Sequence, residues 1–136
     1  MLDYEKLLVA SNGRLREGGR ALLKRALVDG DTQLLLEMAE YLGQVLAADG
    51  RASTSQLRDI VNALRSLNSR FRWDDVLLLK PKLHYRAARR ASQGFGLLCA
   101  VLIEGIDMVA GDRRRFARLF ELAKAVTAYA YALEGG

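Results

Sequence analysis

One cysteine, one proline and one histidine occur in 136 residues, and each shortage excludes something. A lone Cys99 cannot close an internal disulfide, so the fold must be held by packing. A single His84 without Cys or His neighbours leaves no zinc-type ligand set. No charged run followed by a short apolar stretch and a small-residue cleavage site opens the sequence, and with Cys99 this points to a reducing cytoplasm. The most apolar stretch, Phe95 to Ala110, is too short to span a bilayer and carries Glu104 and Asp107, so no membrane association is expected. Alternating β-branched runs are also missing, while Ala, Leu and Arg dominate. The expected fold is all-α: a single compact helical bundle of about five to six helices over residues 1–136.

The chemistry of catalysis is missing as well. No nucleophile stands beside a base, and no phosphate-binding loop or metal cluster is visible, so neither an enzyme nor a bound cofactor or metal is expected. His84 reads as a polar or packing residue, and Cys99, inside an apolar helix without a basic neighbour, as a buried inert thiol. Glu104 with Asp107 and Asp74 with Asp75 read as helix-end or ion-pair carboxylates, because metal sites need further ligands. Taking Gly50 as the glycine of a calcium loop puts Val45 and Ala47 where carboxylates are required, which excludes that motif.

What the chain does have is positive charge in one place. Residues 1–50 hold six Lys/Arg against eight Asp/Glu, residues 51–90 ten against three, and residues 91–136 five against five. The whole excess of +5 thus lies in the middle third. A local excess of this kind is the footprint of a polyanion site, although exposed Arg also favours helix and solubility without binding anything.

Turn signals and helical periodicity divide the chain. A short amphipathic opening, LDYEKLLV, stops at Ser11-Asn12-Gly13, and a helix is expected from Leu15 to Val28 despite Gly18-Gly19. Asp31 is a candidate N-cap for a helix ending near Ala48. Ser53 and Gln56 have capping-box spacing, so the next helix is expected to begin at Ser53. It turns Leu57, Ile60, Val61, Leu64, Leu67 and Phe71 to one side and Arg58, Asn62, Arg65 and Ser69 to another. Trp73-Asp74-Asp75 opens a segment that Pro81 should end or restart. Beyond it, Lys82, Arg86, Arg89 and Arg90 fall within an arc of about 100°, with Ala87, Ala88 and Ala91 opposite, free to lie against a neighbour. The stretch from Phe95 reads as the central buried helix, and Asp112 can cap a last helix burying Phe116, Leu119, Phe120, Ala123 and Val126.

Three blocks in order carry a resemblance: Ser53-Thr54-Ser55-Gln56-Leu57-Arg58, then Lys80-Pro81-Lys82-Leu83-His84-Tyr85-Arg86-Ala87-Ala88-Arg89, then Phe116 to Gly136 with Ala128-Tyr129 and a terminal Gly-Gly. Together they resemble the small subunit of type III-A CRISPR-Cas effector (Csm) complexes, over residues 45–136. Residues 1–30 exceed the usual family length and read as an N-terminal helical extension. Ala88 stands where the family usually has Gly, and the tail AYAYALEGG has fewer aromatics than is usual and lacks a Lys. The resemblance implies a non-catalytic, all-helical protein that self-associates as a dimer or filament. Its implied partners are the guide (CRISPR) RNA, the target RNA, the repeated backbone subunit and the large polymerase-like subunit. By position it implies RNA contacts for Arg58, Lys82 and Arg89, to which the helical wheels add Arg65, Arg86 and Arg90. Two other readings fit the basic segment: a DNA-binding regulator with residues 49–64 as turn and recognition helix, and a purely structural helical scaffold.

Overall fold

A computed structural model describes residues 10–11, 14–49, 51–89 and 93–134. Two short strands, β1 (Ala10–Ser11) and β2 (Arg14–Leu15), precede six helices: α1 (Glu17–Leu27), α2 (Thr32–Asp49), α3 (Arg51–Ser69), α4 (Trp73–Arg89), α5 (Gln93–Val109) and α6 (Arg113–Glu134). The strands pair antiparallel, Ala10 with Leu15 and Ser11 with Arg14. LDYEKLLV, Asn12 and Gly13 lie outside the described residues.

The cap signals explain most of the boundaries. Asp31 Oδ1 accepts the Leu34 amide at 3.0 Å and so starts α2, while Asp112 Oδ1 accepts the Arg114 and Arg115 amides at 2.8 and 3.1 Å and starts α6. Each satisfies donors that a helix start leaves free. Two expectations are corrected. The third helix begins at Arg51, not Ser53, and Gln56 does not turn back to cap it, because its Oε1 accepts from Arg86 of α4 at 2.8 Å. Pro81 neither ends nor restarts α4, which runs through it. Proline at this position costs the bond to the Leu77 carbonyl. Pro81 and Leu77 are both exposed, so water can take that carbonyl.

The core lies between α2 and α6, which share the most extensive contact in the molecule, and around α5. Gly43 permits the α2–α6 approach: a Cβ there would stand 2.7 Å from Tyr129 Cβ and 3.0 Å from the Ala130 nitrogen. Helix α5 is buried on nearly every side, with Phe95, Leu98, Val101 and Ile106 at the centre. Its start is capped from a distance, since Asp49 Oδ2, at the end of α2, accepts the Phe95 amide at 3.1 Å. Of the expected apolar faces, Leu57, Ile60, Val61 and Leu64 of α3 and Phe116, Leu119, Phe120, Ala123 and Val126 of α6 are buried, while Leu67 is only partly buried and Phe71, also partly buried, lies past the end of α3. Helix α1 and β2 add Leu15, Leu22, Leu23, Ala26 and Leu27 to the same core.

Helix α4 sits on the bundle through Val76, Leu79 and Leu83, with Ala87 partly buried behind them. This seat differs from the expected alanine face. Ala88 is exposed and Ala91 lies outside the described residues. Leucine side chains one and two turns earlier bury more apolar area than a methyl can, and they decide which side of the helix turns inward.

Candidate nucleic-acid interface

Five of the six candidate RNA-binding residues fall into two groups. Arg58 and Arg65, seven residues apart on α3, both lean toward α6. The Arg58 guanidinium lies 5.4 Å from the Tyr131 ring centroid and donates to the Tyr131 hydroxyl. That of Arg65 lies 5.8 Å from the Phe120 centroid and donates to Asn62 Oδ1 at 2.9 Å. Stacking on a ring leaves part of the guanidinium edge free to meet an anion.

Lys82, Arg86 and Arg89 form the second group, on α4. Together with Gln56, Pro81 and Tyr85 they border an open cleft of about 710 Å³. Arg86 crosses to α3, donating to Gln56 Oε1 at 2.8 Å and standing 4.0 Å from Asp59 Oδ2. Arg89 donates to the Tyr85 hydroxyl at 3.1 Å, and its guanidinium lies 5.7 Å from that ring centroid. The ring itself is 62% exposed. Lys82 is exposed at the rim. Arg90 lies outside the described residues.

The structure therefore joins Lys82, Arg86 and Arg89 around one cleft, and it places Arg58 and Arg65 on the other flank of α3. Sequence reasoning missed the uncharged members. Tyr85 was within reach, four residues before Arg89 on one helix, the spacing at which side chains meet. Tyr131 and Phe120 are joined to α3 only by the fold, and no local spacing announces them.

Several other cations are tied into the fold. Arg118 Nε donates to the Ala26 carbonyl at 2.7 Å, and Arg115 to the Met108 carbonyl at 3.2 Å. Lys80 pairs with Asp107, and Arg14 lies 3.3 Å from Glu104, which is buried. Both carboxylates thus take the ion-pair role expected of them. Asp75 stands 4.0 Å from Arg72 in the first turn of α4.

His84 is exposed. Cys99 is fully buried, and burial pushes its thiol up to about 12, against a smaller opposing pull from the Arg86 charge. Arg86 is thus a basic neighbour that the sequence did not reveal, yet desolvation dominates and the thiol stays inert. No group of three or more metal-ligating side chains occurs among the described residues, and no helix there is long and apolar enough to cross a membrane.

The family model for Csm2 Type III-A matches residues 29–135. No curated protein and no solved structure gives a match. The matched span begins earlier than the three sequence blocks and leaves out β1, β2 and α1.

Proposed function

Because the chain belongs to the Csm2 Type III-A family, and is thus a small subunit of a type III-A CRISPR-Cas complex with other Csm subunits as partners, we propose that it holds the guide–target RNA duplex by sequence-independent backbone contacts. The observation that supports this is the α4 cleft, where three cations stand together and Asp59 is the one carboxylate paired with them among the described residues. A-form RNA hides its base edges in a deep, narrow groove, so a subunit that must accept any guide meets phosphates and 2′-hydroxyls. Arginine donates two hydrogen bonds to one phosphate, and such contacts position a duplex without reading it. Arg58 and Arg65, and Arg90 by its place in the sequence, extend the contact.

The role is one of assembly and antiviral defence, without catalysis, in the cytoplasm. Copies stack in an inner filament beside the repeated backbone subunit and the large polymerase-like subunit, each presenting complementary heterologous surfaces to the next. One domain spans residues 1–136, with residues 1–30 as its extension.

The test is binding of the purified chain to a random-sequence guide–target RNA duplex and to duplex DNA of equal length, across a salt titration. The reading expects RNA binding that ignores sequence and whose log affinity falls with log salt. Preference for one DNA sequence by about a thousandfold would support a DNA-binding regulator instead. Negligible affinity for both at moderate salt would leave a structural scaffold.

A further inference from the structure

A site that only clamps phosphates needs cations and nothing apolar, yet the α4 cleft carries a large uncovered ring. Tyr85 is 62% exposed and stands among Lys82, Arg86 and Arg89. Its hydroxyl is held by Arg89 at 3.1 Å, and the same guanidinium lies 5.7 Å from the ring centroid. The ring is therefore exposed and steered by Arg89. On the α3 side, Gln56 uses its carbonyl oxygen to accept from Arg86 at 2.8 Å, which leaves the amide nitrogen free to donate. At about 710 Å³ the cleft is within the range of sites that take small molecules.

A base inside a regular duplex cannot use these groups together, because both of its faces are covered by its neighbours. A nucleotide out of the stack can. Its base offers a π-face to Tyr85 and a carbonyl or ring-nitrogen acceptor to the Gln56 amide, and its phosphate meets the three cations. Stacking on an aromatic ring beside a cationic groove is the general way proteins hold single-stranded nucleic acid, and it tolerates any base.

We infer that the cleft between α3 and α4 is a binding site for an unpaired nucleotide, with Tyr85 as the stacking platform and Lys82, Arg86 and Arg89 as the phosphate contacts. The inference rests on the RNA-binding reading above and sharpens it. One segment of the bound RNA leaves the helix at this cleft, while the remaining basic residues follow the backbone.

The experiment compares two fluorescently labelled single-stranded RNAs of the same length and charge, on the order of ten nucleotides, one with bases and one built of abasic ribose units. Both are titrated against the full chain, against Tyr85→Ala and against Tyr85→Phe. The wild-type chain should bind the base-bearing strand about tenfold or more tighter than the abasic one. Tyr85→Ala should lose that preference without changing abasic binding, and Tyr85→Phe should keep it, because the ring remains. Since the side chain is mostly exposed, neither substitution touches the core, and an unchanged helical circular-dichroism signal checks this. Equal binding of the two strands by the wild-type chain would overturn the nucleotide site and leave the phosphate clamp standing. A base preference that survives in Tyr85→Ala would also overturn it, because stacking would then lie elsewhere. Binding of neither strand would overturn the nucleotide site, while the duplex titration described above decides the phosphate clamp separately.

Discussion

Two residues show how a single atom constrains this fold. Gly43 lies where α2 meets α6, and the 2.7 Å between its missing Cβ and that of Tyr129 is shorter than real Cβ contacts allow. Gly43→Ala should force the helices apart and cost about 1–3 kcal/mol, read as a lower urea midpoint with an unchanged slope. Cys99 gives a prediction in pH. Its thiol stays protonated up to about 12 in the folded chain, against an ordinary value of 9.0. Between those values the unfolded chain releases a proton that the folded chain keeps, so stability falls as pH rises from about 9 to about 12. Cys99→Ala should flatten that alkaline loss, as measured by denaturant unfolding at a series of pH values. The inertness of Cys99 was legible in the sequence, because its apolar helix was. The Arg86 charge near it was not, since it arrives from another helix.

At the scale of elements, periodicity and caps carried the reading a long way. The buried faces of α3 and α6, the central position of α5, and the caps at Asp31 and Asp112 all follow from spacing. The failures have a common cause: local signals yielded to partners supplied by the fold. Gln56 had the spacing to cap α3, but the Arg86 guanidinium is a charged donor and forms the stronger bond. Pro81 should stop a helix, but α4 buries Val76 and Leu79 before it and Leu83 after it. Keeping all three on one face outweighs the lost backbone bond. Pro81→Ala should restore that bond and raise stability by about 1–3 kcal/mol, visible as a higher urea midpoint and no loss of helical signal. The two strands and α1 fall outside the family match, yet Leu15, Leu23 and Leu27 are buried. Amphipathic spacing announced that helix but not which surface it covers.

For the molecule as a whole, the partition of charge was readable and its geometry only half so. The excess in the middle third lies on α3 and α4 as expected, and Lys82, Arg86 and Arg89 share one cleft. Arg58 and Arg65 instead lean on Tyr131 and Phe120. Reversing Lys82, Arg86 and Arg89 to Glu should weaken RNA binding and leave the circular-dichroism signal intact. Removing their charges one at a time should reduce the slope of log affinity against log salt by about 0.7 to 0.9 each. A loss of fold on reversal would instead make this face structural.

The bond from the Phe95 amide to Asp49 crosses 46 positions of sequence. A helix whose first turn is closed by the last residue of another cannot open at that end alone, because the acceptor belongs to α2. In deuterated solvent, the Phe95 amide should therefore exchange with the slow amides at the end of α2, and Asp49→Ala should release it while leaving the middle of α5 protected. The two helix ends would then behave as one unit of opening.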